Sequence, residues 1–214
     1  MSDETKIKLW YWLCFGKKLN LEHPQTYSEK LQWLKLYDHQ PLYTTLVDKY
    51  MVKEWVANTI GSEYVIPTLG VWNSTTEIDW DTFPQRFVLK TTQGCGNSGV
   101  VVVKDKSSAN RENIVSKLLK AGKKDAYRML GEWPYKNVKH RIIVEEYIEK
   151  KHEYLIGGDI FVIDGKICLW GLLNCHRDHT VNPLVPVGKS YPLALDSIDE
   201  EAVKSTLQMM IDKL

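Results

Sequence analysis

FVLKTTQGCGNSGVVVV, residues Phe87 to Val103, carries the chain from one β-branched apolar run into another. Between the runs lie Gly94, Gly96 and Gly99 with Thr91, Thr92, Asn97 and Ser98, and Lys90 stands at the loop's entrance. Alternating glycines let successive backbone N–H groups point into one concavity, and small side chains let phosphate oxygens approach closely. A lysine at the end of an apolar strand is held rigidly at the mouth of such a loop. Because GVVVV continues as a strand, no helix N-terminus stands behind the glycines, which excludes a P-loop and a dinucleotide-binding turn. A strand–loop–strand hairpin remains. It either folds over phosphates or is a plain hairpin with a flexible tip.

The rest of the chain narrows the setting. Its 214 residues suffice for one large domain or two small lobes, and 43% hydrophobic with 26% charged residues is an ordinary globular balance. With 28 basic and 27 acidic side chains, the net charge points to neither a nucleic-acid partner nor a membrane, and no apolar run is long enough for membrane insertion. The start, MSDETKIKLWYWLCFGKK, has acids before its apolar patch and does not read as a signal peptide. Cys14, Cys95, Cys168 and Cys175 show no CxxC spacing, so reduced thiols and a cytoplasmic location are expected. The run Cys175-His176-Arg177-Asp178-His179 offers metal-ligand types without distant partners, poor geometry for a closed tetrahedral site, and no metal ligand is assigned.

The first part of the chain reads as helical. Thr26 followed by Glu29 is a capping-box spacing, with Leu31, Trp33 and Leu34 supplying the apolar positions behind it. A second helix is expected from Thr44 or Thr45 through VDKYMVKEWVANTIG to Gly61. From Tyr64 the texture changes: YVIPTLGVW, RFVLKTT, GVVVVKD, RIIVEEYI, GGDIFVID and KICLWGLL read as strands, and Asp164-Gly165 as a two-residue hairpin turn. NRENIVSKLLKAG has helical spacing behind a capping Asn110, and SIDEEAVKSTLQMMIDKL is an amphipathic helix with Val203, Leu207, Met210 and Ile211 on one face. Hairpin order points to an α+β fold.

Two more segments bear on the loop. Lys49 and Lys53 in DKYMVK are spaced for one helix face, which is either a solvated surface or a second source of positive charge. In RIIVEEYIEKKHEY an apolar strand runs into Glu145, Glu146, Tyr147 and Ile148, then a polar turn and Glu153. Such a strand edge can offer a carbonyl and an amide to a purine, with a carboxylate nearby for ribose; otherwise it is a strand end with solvent-facing acids.

The order DKxxxK, FVLK with its Gly/Ser loop, then VEEYI and Glu-Tyr resembles the ATP-grasp superfamily from about Val47 to the C-terminus. HPQTYSEKLQWLKLYD, DKYMVKEWV, VIPTLGVW and EWPYKNVKHRIIVEEYI are similar to its TupA-like branch, associated with teichuronopeptide and cell-surface polysaccharide biosynthesis. The resemblance implies two lobes clasping ATP. It divides the chain into an N-terminal helical segment 1–60, a first lobe 61–143 with the phosphate-covering hairpin, and a second lobe 144–214. Lys53 and Lys90 lie near the phosphates. Gly94, Gly96, Ser98 and Gly99 cover the β- and γ-phosphates. The backbone of Glu146 and Ile148 reads adenine beside Tyr147, with Glu145 alongside, and Glu153 binds ribose. Arg177 is the candidate for stabilising the transferring phosphoryl group.

The implied reaction is ATP-dependent carboxylate ligation through an acyl phosphate, with other cell-surface polymer biosynthesis enzymes as possible partners. The family's magnesium ligands, a Glu followed by an E-x-N pattern, do not occur in the sequence. The Mg2+ ligands are therefore expected beyond Leu214, with the second lobe incomplete, and a non-catalytic nucleotide-binding module stays open as an alternative. A glycosyltransferase-associated role would call on Asp79-Trp80-Asp81, which reads instead as a loop acid pair.

Overall fold

The computed structural model describes residues 1–94, 99–148, 155–163, 166–175 and 200–213. Contacts divide the chain into two compact units. The first holds Met1–Asn58 and Ser62–Tyr147; the second holds Thr59–Gly61 and Ile148–Leu214.

Four helices open the first unit. Helix α1 (Asp3–Phe15) starts at Ser2, whose hydroxyl accepts from the Thr5 amide, and stops at Gly16, where φ of 64° suits a residue without Cβ. Helix α2 (Tyr27–Tyr37) carries the full capping box: the Thr26 hydroxyl accepts from the Glu29 amide at 3.2 Å, and the Glu29 carboxylate accepts from the Thr26 amide at 2.9 Å. Backbone donors from Thr26 and Gln25 hold the Glu29 carboxyl below its ordinary value, so this cap is intact above the usual glutamate range and weakens as pH falls through the lowered value. Thr26→Ala is expected to cost about 1 kcal/mol of stability, read as a lower urea midpoint with unchanged slope.

The expected single helix from Thr44 to Gly61 is in fact two, α3 (Pro41–Val47) and α4 (Met51–Thr59). Asp48 breaks it. Its Oδ1 accepts from the amides of Tyr50 (2.9 Å) and Met51 (3.3 Å), capping α4 afresh, while the Lys49 amide turns away to the Thr92 carbonyl at 3.1 Å. Lys49 therefore sits in the turn and shares no helix face with Lys53.

A four-stranded antiparallel sheet follows, in the order β1-β4-β2-β3: β1 (Thr68–Trp72), β2 (Phe87–Thr91), β3 (Val100–Val103) and β4 (Ile142–Glu146). The run YVIPTLGVW becomes a strand only from Thr68. Ser62–Tyr64 forms a 3-10 turn, and Pro67 has no N–H to give, although its carbonyl accepts from the Glu146 amide at 3.1 Å. Helix α5 (Arg111–Gly122), capped by Asn110 as expected, lays Ile114 and Leu118 on one face of the sheet. There Phe87, Leu89, Val103, Ile142 and Val144 complete the core with Ile78 and Phe83. Helix α6 (Ala126–Leu130) follows and ends at Gly131.

In the second unit, β5 (Leu155–Ile163) and β6 (Lys166–Cys175) pair antiparallel, followed by α7 (Glu200–Asp212). The expected turn at Asp164-Gly165 falls on residues outside those described. The fold is α+β. Strand β4 is paired on both sides, with β1 and β2, and belongs whole to the first unit, so the boundary between units comes after Tyr147.

Candidate functional site

The period of two along β2 and β4 separates their side chains. Phe87, Leu89, Ile142 and Val144 enter the core under α5, which leaves Lys90 and Glu145 on the other face. In the pairing of β2 with β4, Val88 stands opposite Glu145 and Lys90 opposite Ile143, so Lys90 is the diagonal neighbour of Glu145. The Lys90 ammonium pairs with Glu145 Oε2, and Lys53, reaching in from α4, pairs with Oε1 at 2.7 Å and donates to the Ile66 carbonyl. The Glu145 side chain is only 5% exposed. Lys49 donates its ammonium to the Gly94 carbonyl at the root of the glycine loop.

Among the described residues two ammonium groups therefore share one buried carboxylate, in a cleft of about 310 Å3 lined by Lys49, Lys53, Lys90 and Glu145 together with Val52, Val56, Tyr64, Val65 and Ile66. Cations against apolar walls hold an anion more strongly than they would in open water.

The hairpin stem is closed by contact with Thr91. A Cβ added at Gly94 would lie 2.6 Å from Thr91 Oγ1, and one at Gly99 would come closer still and also touch Ala121. Both glycines are therefore required by close approach. Gly99→Ala is expected to destabilise the fold by about 1–3 kcal/mol, and Thr91→Ala in the same chain to recover part of the loss in thermal melts.

Thr92, fully buried, ties these parts together. Its amide donates to the Arg141 carbonyl at 2.9 Å, its hydroxyl donates to the Lys139 carbonyl at 2.8 Å, and that hydroxyl accepts from the Arg141 amide at 3.0 Å. The Arg141 guanidinium pairs with Asp48 Oδ2 at 2.7 Å and lies over the Tyr50 ring, 4.7 Å from its centroid. Asp48, Thr92 and Arg141 were not singled out by their sequence context. The available signal was local: an aspartate just before an amphipathic run, and an arginine opening a strand with no acid beside it.

Residues 29–172, more than half of the 214, match the family described as TupA-like ATPgrasp. The chain belongs to the TupA-like ATP-grasp family. No curated protein matches it. In this ATP-grasp chain the structure brings together Lys53, Lys90 and Glu145, with Gly94 and Gly99 at the loop root near Lys49. The Glu145 carboxylate pairs with both lysines. Glu146 is exposed, and its amide is taken by Pro67; the Tyr147 ring lies 5.5 Å from the Arg86 guanidinium, and Ile148 is exposed. Gly96, Ser98, Glu153 and Arg177 lie outside the described residues, as does most of the Cys175–His179 run.

Asp79 caps a 3-10 turn through the Asp81 amide, and Asp81 sits at the surface 3.4 Å from Arg111. No three His, Cys, Asp or Glu side chains among the described residues come together as a metal site, and no helix among them is long and apolar enough to cross a membrane.

Proposed function

We propose that the chain binds ATP with its phosphates in the lysine-lined cleft and uses it to activate a carboxylate for ligation, in the cytoplasmic assembly of a cell-surface polysaccharide or peptide conjugate. The observation that carries this reading is that Lys53 and Lys90 share the buried carboxylate of Glu145 in a cleft that Lys49, bonded to Gly94 at the root of the glycine hairpin, also lines. Such a set of rigidly held ammonium groups fits a polyphosphate.

In this reading Lys53 and Lys90 hold phosphate oxygens, and Gly94, Gly96, Ser98 and Gly99 present backbone amides to the β- and γ-phosphates. With its amide bonded to Pro67, Glu146 offers adenine its carbonyl, while Ile148 offers its amide and Tyr147 an apolar face. Glu153 takes the ribose and Arg177 the transferring phosphoryl group. Glu145 acts on the lysines, holding both ammonium groups in place before the nucleotide arrives. A substrate carboxylate oxygen then attacks the γ-phosphorus and ADP leaves; an amine or other nucleophile attacks the acyl carbon and phosphate leaves. Magnesium neutralises phosphate charge where a site for it exists; the described residues hold no cluster that fits it, and no step here passes through it.

Incubating the chain with ATP, magnesium, a panel of carboxylates and hydroxylamine tests the reaction. A carboxylate-dependent release of ADP with trapping of a hydroxamate is the expected result. ATP binding with no ADP released by any carboxylate would reduce the protein to a nucleotide-binding module, and preference for a nucleotide-sugar over ATP would favour a glycosyltransferase-associated role.

A further inference from the structure

The near-balance of charge over the whole chain hides a local asymmetry at its N-terminus. Helix α1 buries Ile7 and Tyr11 against Leu19, Leu21 and Leu36. At about 100° per residue, Leu9, Trp12 and Leu13 fall on the opposite side of the helix, and each is at least two-fifths exposed. An apolar helix normally buries itself on every side; this one leaves an aromatic and aliphatic stripe outside.

Charge frames that stripe. Lys6 and Lys8 fall on its two flanks, and Lys17 and Lys18, both exposed, follow the Gly16 cap at its end. The acids of the segment are placed differently. Asp3 accepts from the Tyr127 hydroxyl at 2.6 Å, on the side facing the protein, and lies 3.7 Å from Lys6, while Glu4 pairs with Lys8; both ion pairs reach solvent and are easily exchanged for another anion. Apolar side chains with a tryptophan, edged by lysines whose stems can lie along them, match the boundary between lipid headgroups and acyl chains.

We infer that α1 docks in the plane of an anionic lipid surface, Leu9, Trp12 and Leu13 entering the interface while Lys6, Lys8, Lys17 and Lys18 meet lipid phosphates. The nucleotide cleft plays no part in this inference, so it stands or falls apart from the proposed activity.

Co-sedimentation of the full chain with vesicles tests it, comparing pure phosphatidylcholine with a mixture containing about a third phosphatidylglycerol. The protein is expected to pellet with the mixed vesicles, to show a blue-shifted tryptophan emission there, and to be released by salt. Lys17→Gln/Lys18→Gln, outside the helix, is expected to weaken binding about 25-fold, at about fivefold per lysine. Trp12→Gln/Leu13→Gln is expected to abolish the pelleting with an unchanged melting temperature. No pelleting with the mixed vesicles would overturn the inference, as would equal binding to both lipids or wild-type binding by the lysine variant. A wild-type dimer in size-exclusion chromatography that Trp12→Gln/Leu13→Gln dissolves would overturn it too, assigning the stripe to a second copy of the chain.

Discussion

Asp48→Ala is expected to remove about 3–5 kcal/mol of stability. The reason is what it strands. Asp48 and Arg141 are both nearly buried, at 4% and 13% side-chain exposure, and among the described residues the guanidinium pairs with no second carboxylate. Breaking a buried pair from one side leaves an uncompensated charge in a poorly solvated place, which costs far more than the pair contributes when whole. The same substitution takes the side-chain acceptor from the start of α4, worth about 1 kcal/mol by itself. Asp48→Asn separates the two contributions, because the amide oxygen can still cap the helix while the charge is gone. Urea unfolding of the two variants should therefore rank wild type above Asn and Asn above Ala. Equal stability of Asp48→Ala and wild type would mean that the ion pair is idle.

Lys90→Ala is expected to weaken ATP binding about 10- to 100-fold, the range for losing a charge-assisted hydrogen bond. Lys90 stands on β2, a strand paired on both sides, so its ammonium is delivered by a rigid element and its loss should leave the fold largely intact. The cleft then keeps Lys53 against Glu145, with Lys49 at the loop root, and part of its attraction for a polyphosphate disappears. Isothermal titration at two salt concentrations checks the mechanism as well as the size of the effect. The variant should bind more weakly and with a shallower salt dependence. Unchanged affinity would remove Lys90 from the nucleotide site.

Features decided by neighbours in sequence were legible in advance. The Thr26–Glu29 box is a bond between residues three apart, and the β2–β3 hairpin follows from β-branched apolar runs on either side of a glycine loop. What escaped was decided across the fold. The break between α3 and α4 depends on Asp48 meeting Arg141, 93 positions away, and on the Lys49 amide meeting Thr92. Nothing in the helical spacing of residues 44–61 carries that information. Glu145 shows the same limit: nothing in RIIVEEYI tells that its carboxylate is buried between lysines supplied by α4 and β2. Family resemblance named Lys53 and Lys90 as a pair, and only the packing shows that one carboxylate holds them both.

A crystal structure of the chain grown with a non-hydrolysable ATP analogue bears most directly on the central claim. Phosphate oxygens about 3 Å from the Lys53 and Lys90 ammonium groups, under the hairpin between Gly94 and Gly99, are the expected result. An analogue seated elsewhere, with both lysines still paired only to Glu145, would contradict it.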